Sequence, residues 1–165
     1  MKSHNSTETS PAKAYNICLR FLAPRPRSVA EMRRHLMKKE ISVPVIDETL
    51  QKLMEDKLLD DVAFARMFVE SRERQKPRSK FALTYELRQK GIKEGIIDMS
   101  LEDIDEEVSA WNAVHPRLRT WQGMAPEKFK KKLFNYLQYR GFGYEISLSA
   151  WNRAISGDGD FDKSL

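Results

Sequence analysis

Lys130, Lys131 and Lys132 stand side by side in this 165-residue chain. Three adjacent ammonium groups make a working surface for anions or acidic partners. Residue types that could do other chemistry are present but badly placed for it. His4, His35 and His115 are scattered, and no H-E-x-x-H, C-x-x-C or His/Cys cluster offers a metal-ligand set. There is no Walker loop, no G-x-G-x-x-G and no G-x-S-x-G elbow. Asp60-Asp61 has the form of an acid/base dyad, yet it directly precedes a helical pattern, where helix capping accounts for it. Cys18, between Ile17 and Leu19, reads as a buried thiol rather than a nucleophile, and a lone cysteine excludes an intramolecular disulfide. No catalysis, cofactor or metal is expected.

The elements that must position the bases are written three times. Leu36-Met37-Lys38-Lys39-Glu40-Ile41 recurs as Leu87-Arg88-Gln89-Lys90-Gly91-Ile92 and as Leu137-Gln138-Tyr139-Arg140-Gly141-Phe142, spaced by 51 and then 50 residues. Met32, Leu83 or Leu133 stands four residues before each leading leucine, and Leu50, Leu101 or Trp151 fourteen after it. This spacing predicts a buried helical stripe, a turn, a hydrophobic re-entry and a core anchor in every copy.

Each copy reads as three helices. In copy one the first spans Ala14 to Ala23 and is ended by Pro24 and Pro26, the second opens on a Ser28–Glu31 capping box, and the third follows Pro44. Copy two starts at Asp60-Asp61, breaks around Pro77, restarts at the cap Ser79 and stops at Gly91. Copy three has a first helix near Val108 to Arg119, a second opening on Pro126 and stopping at Gly141, and a last through Trp151. The expected organisation is a flexible tail over 1–12, repeats over 13–59, 60–106 and 107–155, and a flexible acidic tail over 156–165. Asp158, Asp160 and Asp162 only superficially resemble a calcium loop. No alternating strand pattern appears, so the fold class is all-α: three tandem three-helix repeats forming an elongated, curved array.

Charge follows the same rhythm. Arg20 to Glu40 holds seven bases against two acids, whereas Glu94 to Glu107 holds seven acids and no base. The net charge of +5 permits contact with nucleic acid without requiring it. The bases singled out for partner or nucleic-acid binding are Arg33, Arg34, Lys38 and Lys39 in copy one. In copy two they are Arg72, Arg74, Arg78, Arg88 and Lys90, and in copy three Lys128, Lys130, Lys131, Lys132 and Arg140. Tyr136 and Tyr139 flank Leu137 on the last basic helix, where one of them could stack on a base. With no apolar segment near the roughly 20 residues of a membrane span, a reducing cytoplasm is the expected compartment.

Leu58-Leu59-Asp60-Asp61, Phe64-Ala65, Phe68-Val69, Ser71-Arg72 and Glu86-Leu87-Arg88-Gln89-Lys90-Gly91-Ile92, with Arg140-Gly141-Phe142 and Tyr144, resemble the RecX regulators of the bacterial recombinase RecA. The resemblance covers about Ala14 to Ile155. Ser79-Lys80 departs from it, standing where the family often has Gly-Pro, and so does Glu40, which occupies the place of Gly91 and Gly141. What the resemblance implies is a non-enzymatic, monomeric modulator that binds RecA filaments in their groove, with single- or double-stranded DNA contacted there. It would restrain strand exchange and co-protease activity. Two other readings remain open on the residues alone: an autonomous helix-turn-helix DNA binder, and a generic helical adaptor.

Overall fold

The computed structural model describes residues 8–157, and among them the fold is all-helical. Copy one holds α1 (Pro11–Leu22), α2 (Val29–Lys38) and α3 (Val43–Glu55). Copy two holds α4 (Asp61–Gln75), α5 (Lys80–Gln89) and α6 (Glu94–Leu101), and copy three α7 (Glu106–Trp121), α8 (Pro126–Tyr139) and α9 (Tyr144–Ser156). The first helix begins earlier than its apolar pattern indicates. Ser10 caps it by accepting from the Lys13 amide, and Pro11 occupies the first turn, where no N–H is needed, so residues 11 and 12 are helix rather than tail. The acidic run at 158–162 lies outside the described residues.

The repeated hexapeptide is a helix stop. In copy one the Ile41 amide donates to the Leu36 carbonyl at 3.3 Å and the Glu40 amide to Met37 at 2.9 Å. Ile92 to Leu87 and Gly91 to Arg88 repeat the pair, as do Phe142 to Leu137 and Gly141 to Gln138. These are Schellman motifs, in which the re-entering apolar residue covers the last turn of the helix. Each needs a left-handed residue: Glu40, Gly91 and Gly141 have φ of 58°, 74° and 89°.

By contact, the chain forms two compact units. One comprises the residues up to Arg66 together with Leu87–Ile97, the other Met67–Glu86 together with the residues from Asp98 on. In the first, α1, α2 and α3 pack on one another around Cys18, Met32, Leu36, Ile46, Leu50 and Leu53. In the second, α7, α8 and α9 enclose Trp111, Val114, Leu118, Trp121, Leu133 and Leu137. The predicted stripe of Met32, Leu36, Leu83, Leu87, Leu133 and Leu137 is fully buried. Trp151 is only half-buried and stacks edge-on against Phe129 at 5.1 Å. Burial pushes the Cys18 thiol up to about 11, so it stays protonated and inert in the core.

Within each unit the turn of one copy sits on the second helix of the copy before it. In the first unit, the Ser28 hydroxyl donates to the Lys90 carbonyl at 2.6 Å, and a β-carbon on Gly91 would lie 2.3 Å from that of Ala30. In the second, the Ser79 amide donates to the Arg140 carbonyl at 3.1 Å, and a β-carbon on Gly141 would lie 2.4 Å from the Ser79 hydroxyl. Glycine is therefore demanded by close approach as well as by φ. At the same position in copy one stands Glu40, which is exposed.

Acids at the start of each following copy complete the joint. Asp60 caps its own helix through the Ala63 amide, but Asp61 accepts from the amide of Val29 at 2.9 Å. Glu106 likewise accepts from the amide of Lys80 at 2.7 Å. Both satisfy N–H groups at the start of a helix, which no helical carbonyl can reach. Lys80, standing where the RecX pattern often has proline, supplies an N–H that proline lacks.

Candidate functional site

The bases divide into those the fold uses internally and those it leaves to solvent. Lys38 and Lys39, at the end of α2, are exposed, as are Lys128, Lys130, Lys131 and Lys132 along α8. None of these six lies within ion-pair distance of a carboxylate among the described residues. Phe129 turns inward between them and packs on Trp121 and Trp151, which fixes the helix face that carries the lysines outward. Tyr139, at the end of the same helix, is 80% exposed, whereas Tyr136 contacts the core.

The remaining candidates are tied to varying degrees. Arg33 pairs with Asp47 at 2.9 Å, with both side chains about half in water, a geometry that contributes little stability. Arg34 is exposed and hydrogen-bonds the carbonyls of Ala30 and Gln89. Arg88 pairs with Glu94, whose carboxyl is thereby held below its usual range. Arg72 grips Glu86 through two nitrogens at 3.1 and 3.3 Å and lies over the Phe68 ring, and Arg78 approaches the same carboxylate at 3.5 Å. Arg74 is exposed at the rim of a cleft of about 530 Å³ that Arg117 and Arg140 also line.

Arg140 is not a surface base: it is 9% exposed, donates to the Pro77 carbonyl and the Tyr136 hydroxyl, and lies over the Tyr136 ring. Lys90, at the same register one residue before the turn glycine, also faces inward. Its ammonium sits 3.0 Å from Glu31.

Glu31 is the electrostatic hub of the first unit. Its side chain is 10% exposed and accepts from Arg25 at 2.9 Å, from Lys90 at 3.0 Å and from the Ser28 amide at 3.0 Å. Burial alone would raise its pKa. The bonds from Arg25, Ser28 and Lys90, with the charge of Lys90, overcome that and bring it down to about 2. The predicted capping box is present, with Ser28 accepting from the Glu31 amide in return.

The acids of α6 and the segment after it face water: Glu94, Asp98, Glu102, Asp103, Asp105 and Glu107 are all exposed. Glu106 alone is drawn in, by Lys80. Sequence reasoning missed Arg27 and His35, which the structure brings together on the two faces of Phe21. The available signal was their spacing: a base just before the Ser28 cap and a histidine two turns into the helix it opens. Among the described residues no helix is long and apolar enough to cross a membrane.

Comparison with known proteins agrees with this architecture. A family model of the first three-helix domain of RecX matches residues 14–53, and one of the second matches residues 60–101. The regulatory protein RecX of Chlorobium phaeobacteroides is 39% identical over 135 residues, which cover 82% of this chain and 89% of that one. That of Streptomyces coelicolor is 32% identical over 156 residues, covering 93% and 83%. The crystal structure of RecX from Lactobacillus salivarius superposes with a TM-score of 0.75 at 19% identity, over 88% of this chain and 97% of that one, a likeness of fold. With family models on two successive three-helix segments and relatives of this identity along most of its length, the chain belongs to the RecX family of regulatory proteins.

Proposed function

We propose that this chain binds RecA filaments assembled on DNA, works in the cytoplasm as a monomer, and restrains recombinase and co-protease activity by lodging in the filament groove. The observation that carries the reading is the set of exposed lysines on α2 and α8 with no carboxylate in ion-pair distance among the described residues, together with the exposed acids Glu94, Asp98, Glu102, Asp103, Asp105 and Glu107. A nucleoprotein filament offers both phosphate and protein surface, and segregated charge of both signs suits such a mixed partner. Autonomous major-groove reading fits less well. Of the helices after the turns, α3 carries Asp47-Glu48 in its second turn and α6 begins with Glu94, carboxylates that would meet phosphates with like charge.

The lysines of α8 supply the test. Changing Lys130, Lys131 and Lys132 together to glutamate is expected to raise the concentration needed for half-inhibition of RecA ATPase on single-stranded DNA by roughly tenfold or more, as for charges at a steering interface. Helicity should be unchanged and the unfolding free energy altered by less than about 1 kcal/mol, since all three are exposed. Undiminished inhibition by the folded variant contradicts the assignment of this face.

A further inference from the structure

A cleft of about 320 Å³ opens beside α2, within the first unit, and its chemistry is anion-binding. The Phe21 ring anchors it. His35 stacks parallel to that ring at 3.8 Å between centroids, with 2° between planes, and the Arg27 guanidinium carbon also lies 3.8 Å from the ring centroid. The ring is thus held between imidazole and guanidinium, and both are oriented by it. Arg27 Nε donates to the Phe21 carbonyl at 3.1 Å, which locks the guanidinium and leaves its two terminal nitrogens without a partner among the described residues. Among the described residues, Arg34 reaches the cleft with only carbonyl partners, and Lys38 with none.

Charge on the cleft is unbalanced. Glu31 is the one carboxylate lining it, and it is already taken by Arg25 and Lys90. Arg27, Arg34 and Lys38 therefore present three positive charges, none of them in ion-pair distance of a carboxylate among the described residues. His35 is held below the ordinary histidine range by burial and by Lys39, Arg27 and Lys38. The equivalent place in copy two, 51 residues on, shows what self-neutralisation looks like. Glu86 stands in the register of His35 and pairs with Arg72 and with Arg78, the counterpart of Arg27. Copy one lacks that carboxylate and keeps the cations.

We propose that this cleft binds one phosphate group of a polynucleotide backbone, with Arg27, Arg34 and Lys38 as charged donors and His35 as a further donor once protonated. Arg27 from the α1–α2 loop and Arg34, His35 and Lys38 from successive turns of α2 line the one cleft on different sides, an arrangement that suits tetrahedral oxygens better than a planar carboxylate. The inference rests on the proposed function only for the source of the phosphate, the DNA of the filament. An arriving anion stabilises the imidazolium and opposes the effect of Lys38, Lys39 and Arg27, while Arg25, Glu31 and Lys90 remain engaged with one another. Binding therefore takes up a proton and strengthens as pH falls from neutral.

The full chain, labelled for histidine NMR, is titrated with inorganic phosphate, with a short oligothymidylate and with the same oligomer carrying uncharged methylphosphonate links. The expected result is a saturable shift of the His35 resonance with oligothymidylate, absent with the methylphosphonate, and a rise of roughly one pH unit in its midpoint. In the Arg34→Gln/Lys38→Gln double variant, folded by circular dichroism, affinity should fall by roughly tenfold or more. A response to inorganic phosphate alone overturns the polynucleotide assignment, and so does no response at all, or an equal response in the variant. RecA ATPase measured on the same samples separates the two claims. Inhibition without a His35 response defeats the cleft alone, and a His35 response without inhibition defeats the filament reading alone.

Discussion

Gly91→Ala is expected to destabilise the first unit by about 3 kcal/mol or more, a larger effect than its single added methyl group suggests. Two costs add. Gly91 has a φ of +74°, and an L-residue there costs about 1–2 kcal/mol. The new β-carbon would also stand 2.3 Å from Ala30 Cβ, and forced overpacking of this kind costs about 1–3 kcal/mol more. The contact cannot be relieved by rotating a side chain, because alanine has none to rotate. Either the turn lifts off α2, breaking the Ser28 bond to the Lys90 carbonyl, or the helix start moves. Glu40→Gly is the matched control: the same Schellman position, already left-handed, with an exposed side chain. Easier φ and a freer unfolded chain oppose each other there, so its effect should stay within about 1 kcal/mol. Urea unfolding of both variants checks the pair, and near-equal midpoints would refute the docking role of Gly91.

Glu31→Gln is expected to cost about 2–3 kcal/mol at neutral pH, because it leaves Arg25 and Lys90 facing a neutral amide at a site where the side chain is 10% exposed. The pH dependence gives the sign. The wild-type carboxyl has its pKa lowered in the folded chain from 4.5 to about 2. Its stabilising contribution is therefore complete above the unfolded value and disappears as pH falls through the folded one. The difference between wild type and variant should be flat at neutral pH, shrink below about 4.5 and close near 2. Denaturant melts across that range measure it. A difference that persists undiminished at the acid end would mean that Glu31 acts by packing rather than charge.

How much of this was legible in the sequence depends on how far apart the partners lie. The hexapeptide closed by Ile41, Ile92 or Phe142 was readable because a Schellman stop joins residues five apart, and the Ser28–Glu31 capping box because its partners are three apart. The bonds between copies were not. Val29 meets Asp61 across 32 residues, Glu31 meets Lys90 across 59, and Arg140 meets Pro77 across 63. Lys90 and Arg140 read as surface bases from their charge, yet both precede the turn glycine that the fold presses against the preceding copy. The partly inward placement of His35 follows from the ring of Phe21, 14 residues before it and on another helix, on which it stacks. Lys130, Lys131 and Lys132 are exposed on α8, while Leu133 and Leu137 of the same helix are buried.

Under the proposed function, the charged faces of this chain recognise a recombinase filament on DNA rather than DNA alone. Fluorescence anisotropy of the labelled protein, titrated with RecA filaments preassembled on single-stranded DNA and separately with the same DNA free of RecA, tests it most directly. Binding to the filament is expected to be tighter by at least about tenfold, or about 1.4 kcal/mol, with displacement at raised salt. Equal affinity for bare DNA, or no binding to the filament, would contradict it.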